Sequence, residues 1–100
     1  MIILDFETNT THQYDVIESA AVKIEIIDGK FVVIDKFHRY YLSRYEVNPY
    51  SYAVHKLTPE LILEHRNKQE IKYASYFKED EDFVSFCQGA NSNNNRNFYT

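Results

Sequence analysis

Two carboxylic acids stand two residues apart near the start of the sequence, Asp5 and Glu7, inside the run Ile2-Ile3-Leu4-Asp5-Phe6-Glu7-Thr8. In an extended strand, residues two apart leave the same face with Cα atoms roughly 6.6 Å apart, so the two carboxylates converge. At the carboxyl end of a strand such a pair suits a hard divalent cation such as Mg²⁺, which takes a few carboxylates, water and phosphate oxygens. Cations held this way activate a water and stabilise the leaving oxygen in phosphodiester cleavage. By itself the spelling Asp-x-Glu is weak, because two solvated acids at a strand end read the same way.

The rest of the composition narrows the field. One hundred residues, 44% hydrophobic and 26% charged, make one small globular domain. Eleven Lys and Arg against fifteen Asp and Glu give a net charge of −4, which argues against a basic coat that binds nucleic acid by counterion release. Any nucleic-acid contact is then local or mediated by metal. A single cysteine, Cys87, excludes an internal disulfide and any zinc site with two thiolates, and points to a reducing compartment. The apolar start is interrupted by Asp5 and Glu7, too early for a signal peptide or a membrane span, so a cytoplasmic location without membrane contact is expected. His12, His38 and His65 show no ligand spacing.

The elements that position the acids follow from pattern. The near-continuous apolar run Ile2 to Phe6 reads as a central strand covered on both faces, leaving into a polar loop from Glu7 to Asp15. A second strand runs from about Val16 to Ile27, with Val22, Ile24 and Ile26 on one face and Lys23 and Glu25 on the other. Asp28-Gly29 signals a tight hairpin, which makes Phe31 to about Tyr41 a third strand antiparallel to the second. Helices follow a loop that reaches Pro49. One starts at Thr58, whose hydroxyl caps the turn, with Pro59 where no N–H is needed. Phe83, Phe86 and Cys87 mark another, behind the acidic run Glu79 to Asp82, which reads as a solvated helix start. Asn supplies five of the last ten residues, so 91–100 reads as a disordered tail after a folded part spanning 1–90.

Taken in order, Ile3-Leu4-Asp5-Phe6-Glu7-Thr8, Val16-Ile17-Glu18-Ser19-Ala20-Ala21-Val22, Asp28-Gly29-Lys30 and Ala53-Val54-His55-Lys56-Leu57-Thr58-Pro59 resemble the DEDD 3′–5′ exonucleases. The resemblance is to the DnaQ-like group, typified by the proofreading subunit of bacterial DNA polymerase III, and spans about residues 2 to 62. It implies an α/β, ribonuclease-H-like fold in which three antiparallel strands precede helices. It also implies Asp5 and Glu7 as catalytic metal ligands for Mg²⁺ or Mn²⁺, and Thr8 against the terminal nucleotide of a DNA or RNA 3′ end. Glu18 is then either an oriented structural carboxylate or a substrate contact. His55 matches the family's His-Gly-Ile/Leu-Thr turn near the substrate, with Lys56 in place of the glycine.

Such enzymes add an Asp in a His-Asn-x-x-Phe-Asp-like motif, then a His-x-x-x-x-Asp or Tyr-x-x-x-Asp motif. Read this way, the sequence carries neither in the family's order, and Asn95-Arg96-Asn97-Phe98-Tyr99-Thr100 stands where the second is due. The expectation is a truncated fold, inactive or weak alone, whose apolar first strand is left as an open edge that pairs with another copy or a complementing chain. Two other readings stand beside it. One is a minimal nuclease drawing acids from a second subunit. The other is a non-catalytic nucleic-acid-binding or protein-interaction module using some of its sixteen aromatics.

Overall fold

The computed structural model describes residues 1–10 and 15–89. The stretch 91–100, expected to form a tail, lies outside the described residues. The chain runs β1 (Ile2–Thr8), β2 (Val16–Ile27), β3 (Lys30–Tyr40), α1 (Pro49–His55), α2 (Pro59–Lys68), a 3₁₀ turn (Phe77–Glu79) and α3 (Asp82–Gln88). The three strands form one antiparallel sheet in the order β1-β2-β3, followed by the three helices, an α/β arrangement.

Local chemistry accounts for the joints. Asp28 and Gly29 both take positive φ, 53° and 77°, as a two-residue hairpin of this hand requires. Thr58 accepts the N–H of Leu61 at 3.1 Å ahead of Pro59. Asn48 does the same for α1, accepting from Tyr50 and Ser51 ahead of Pro49.

β1 pairs with β2 so that Asp5 faces Ala20 and Glu7 faces Glu18; β2 pairs with β3 so that Ala20 faces His38 and Glu18 faces Tyr40. Strand alternation therefore sorts Asp5, Glu7, Glu18, Ala20, His38 and Tyr40 to one face. Leu4, Phe6, Ser19, Ala21, Phe37 and Arg39 take the other. This second face is the packed one. Phe6 meets the rings of Phe77 and Phe83, and Phe37 those of Phe83 and Phe86. Ile17, Ser19, Ala21, Tyr41 and Ile62 are buried.

Two expectations are corrected here. β1 is the edge strand of the described sheet, with Ile3 and Leu4 exposed, as an open first edge requires and against the covered central strand read from its apolar run; an apolar run alone does not say how many neighbours a strand has. The acidic run is not uniformly solvated either. Asp80 is buried and takes both carboxylate oxygens to Arg39 Nη1, at 2.9 and 2.7 Å. It also accepts from the Tyr41 hydroxyl at 2.7 Å and from Asp82 N–H at 3.0 Å.

This network gives stability a pH window. Burial opposes ionisation of Asp80, but the hydrogen bonds from Arg39, Tyr41 and Asp82, with the attraction of Arg39, outweigh it and hold the carboxyl below its usual 3.8. Burial, with the adjacent Asp80, pushes the Tyr41 phenol well above its usual 10.0. A depressed acid stabilises above its unfolded pKa and loses that contribution as pH falls through its folded value; a raised phenol stabilises below its unfolded pKa and loses that as pH rises. Urea midpoints are thus expected to stay level between about pH 5 and 9 and to fall on both sides. Tyr41→Phe is expected to shallow the alkaline fall. A midpoint unchanged above pH 10 would contradict this assignment.

Candidate metal and nucleic-acid site

Pairing with β2 fixes the direction of both acids on β1. Two rows cross the sheet side by side, Asp5–Ala20–His38 and Glu7–Glu18–Tyr40. With strands about 4.8 Å apart, the outer members of each row are separated by about 10 Å at Cα. Ala20, the smallest of the six side chains, leaves a shallow floor between Asp5 and His38. Asp5 is exposed and Glu7 half-buried, and neither side chain makes a hydrogen bond or ion pair among the described residues. Two unpaired carboxylates on one face have the donor chemistry that a hard divalent cation takes.

Glu18 is committed elsewhere. Its Oε2 lies 2.5 Å from His38 Nε2, and Tyr40 lies beside it. Burial, then the charge and hydrogen bond of Glu18, raise the Tyr40 phenol above its ordinary value. The Tyr40 ring in turn stacks on His65, centroids 4.5 Å apart at 11°. The contact with His38 orients the Glu18 carboxylate on the sheet face. Among the described residues no group of three or more His, Cys, Asp or Glu is arranged to hold a metal ion.

Thr8 is exposed at the end of β1, just after the pairing register shifts. The next residue, Asn9, is buried and anchors this corner. Its side-chain amide donates to Ser43 Oγ at 2.8 Å and to the Glu46 carbonyl at 2.9 Å, and its Oδ1 accepts Asn48 N–H at 3.0 Å. Beyond it lies a mostly apolar cleft of about 260 Å³, lined by Asn9, Ile17, Leu42, Tyr45, Leu57 and Ile62 among others.

His55 closes α1. Its Nδ1 accepts Leu57 N–H at 2.9 Å, and its Nε2 is buried without a hydrogen-bond partner among the described residues. No hydrogen bond or ring contact among the described residues joins it to the β1 acids. Lys56 follows in the left-handed region, φ 61°, the conformation glycine adopts most easily.

Asn9, His38, Tyr40 and Asp80 escaped the sequence reading. His38 was legible in principle, since strand pairing sets it diagonally across the hairpin from Glu18, two residues along β3 from Glu18's direct partner Tyr40, but only once the register is known. A Tyr-x-x-x-Asp spelling does occur, from Tyr76 to Asp80. Asp80 is spent on Arg39 and Tyr41 on the face opposite Asp5, so it adds no ligand to the pair. No helix among the described residues is long and apolar enough to cross a membrane.

Compared with known proteins, the chain matches no family model, no curated protein and no solved structure.

Proposed function

We propose that the chain is an amino-terminal portion of a DnaQ-like, ribonuclease-H-like 3′–5′ exonuclease fold, acting on 3′ ends of DNA or RNA with Mg²⁺ or Mn²⁺. The observation that carries this reading is the pair Asp5 and Glu7, unpaired and on one face at the carboxyl end of β1. The antiparallel β1-β2-β3 order followed by helices supports it. So does the left-handed backbone at Lys56, where the related turn has glycine.

A bound divalent cation would activate water and stabilise the leaving oxygen. Asp5 and Glu7 would hold it, and Thr8 would lie against the terminal nucleotide. Glu18, tied to His38, lines the floor rather than ligating. Two carboxylates are a partial ligand set, and no second acid pair joins them among the described residues, so activity alone is weak or nil.

The test is release of nucleotides from a 3′-labelled oligonucleotide. Slow release that requires Mg²⁺ or Mn²⁺ and disappears in Asp5→Ala is expected. Single-strand binding that ignores both a chelator and Asp5→Ala would favour a non-catalytic binding module instead.

A further inference from the structure

The two edges of the sheet are built differently. Toward the carboxyl end of β3, between Lys36 and Tyr40, outward-facing backbone groups meet side chains. Lys36 N–H donates to Asp35 Oδ1 at 2.8 Å, the His38 carbonyl accepts from Gln69 Nε2 at 2.8 Å, and Tyr40 N–H donates to the Tyr73 hydroxyl at 3.0 Å. Arg66 Nη1 takes the Tyr40 carbonyl at 2.8 Å. A bulge adds to this: Lys23 faces Asp35 while Ile24 faces Val33, so Ile34 is the extra residue. Caps and bulges are the devices by which sheets refuse another strand.

From Ile2 to Phe6, β1 has neither among the described residues; its one register shift falls beyond, between Glu7 and Thr8. Met1 and Ile24 exchange both backbone hydrogen bonds, at 3.1 and 2.8 Å. With a period of two, Ile3, Asp5 and Glu7 bond inward to β2, while Ile2, Leu4 and Phe6 turn N–H and C=O away from the sheet. Nothing among the described residues pairs with those outward groups. Ile3 is 51% exposed, Leu4 46% and Phe6 39%.

We infer that a second copy of this chain adds to β1, antiparallel and centred on Leu4, so that two sheets become one. Leu4 then faces Leu4 of the second copy and Phe6 faces its Ile2, and each outward N–H and C=O of Ile2, Leu4 and Phe6 gains a partner. Charge selects this register. Centring on Phe6 would set Asp5 against Glu7 of the other copy, and like charges directly opposite destabilise a strand pair. Centring on Ile2 would leave Leu4 and Phe6 outside the pairing. Centring on Leu4 sets Asp5 against Ile3 and Glu7 against Met1, so no two carboxylates meet. Growth stops at two copies, because the shared edge is self-complementary and the β3 edge is interrupted by the bulge at Ile34 and the caps from Lys36 to Tyr40. The inference stands apart from the nuclease reading, since it uses the backbone of β1 and not metal binding.

Light scattering on the eluting protein should give a mass near twice 11.9 kDa. Leu4→Pro removes a donor that points only outward, so the β1–β2 ladder keeps its bonds and the mass should halve with the circular dichroism spectrum retained. Should that variant fail to fold, cysteines decide. Leu4 and its copy would sit about 5.5 Å apart at Cα, within the range a disulfide spans. Leu4→Cys in a Cys87→Ser background should therefore give a covalent dimer on oxidation, whereas Phe6→Cys, facing Ile2, should not. A wild-type mass of 11.9 kDa at high micromolar concentration, a dimer unaffected by Leu4→Pro, or equal cross-linking by the two cysteine variants would overturn the inference.

Discussion

Asp80→Ala is expected to cost about 3 to 5 kcal/mol, the range for breaking a buried ion pair by removing one partner. The Asp80 side chain is 3% exposed and that of Arg39 11%, so neither finds solvent when the other is lost. The substitution takes an acceptor from Arg39, from the Tyr41 hydroxyl and from the Asp82 N–H together. Among the described residues Arg39 keeps one carboxylate, Asp82, at 2.9 Å on a side chain that is largely solvated. The Tyr41 hydroxyl, among the described residues, keeps Ser19, at 3.5 Å. The same network joins the strand face to the segment carrying the 3₁₀ turn and α3, which bring Phe77, Phe83 and Phe86 over the sheet. Losing it therefore loosens the aromatic layer as well. Small domains have about 5 kcal/mol in hand at the low end, so most of the cooperative urea transition should disappear. Glu79→Ala, which removes a solvent-exposed partner of Arg44, is the contrast and should cost under about 1 kcal/mol. Asp80→Ala and Glu79→Ala variants of equal stability would show that the buried network contributes no more than a surface pair.

The strands and two helices were legible because their signals are local. Asp28-Gly29 sets the hairpin by backbone conformation, period two sorts β2, and Thr58-Pro59 caps α2 without help from distant residues. Phe83, Phe86 and Cys87 fall on α3 by the same logic. What escaped depends on partners far away in sequence. Asp80 and Glu79 look alike in an acidic run, and only Arg39, forty-one residues from Asp80, draws one of them inside. β1 reads as central because apolar residues on both faces usually mean cover on both, whereas the described sheet leaves its outer side open. The face shared by Asp5 and Glu7 was legible from spacing alone. The diversion of Glu18 to His38 was not, since it needs the register of the hairpin.

The second large effect concerns the β1 acids. Among the described residues Asp5 and Glu7 have no side-chain partner and share a face, while Glu18 is engaged and no third acid joins them, so binding of a divalent cation should be weak, about millimolar, the low end for carboxylate sites. Each acid supplies about half of the available charge. Asp5→Asn or Glu7→Gln alone should then reduce saturable binding at least tenfold, and the double variant should abolish it, with the fold intact because both substitutions keep the side chain's size and neither side chain has a hydrogen-bond or ion-pair partner among the described residues. His38 and Tyr40 should change little, as they bond to Glu18 rather than to the site.

Titration of ¹⁵N-labelled chain with Mn²⁺ reads this at single residues. Amide signals of Asp5, Phe6 and Glu7 should broaden first, recover when Mg²⁺ is added in excess, and stay sharp in the Asp5→Asn, Glu7→Gln double variant. Broadening that centres on Glu79 to Asp82, or that persists on β1 in the double variant, would contradict a metal site at Asp5 and Glu7.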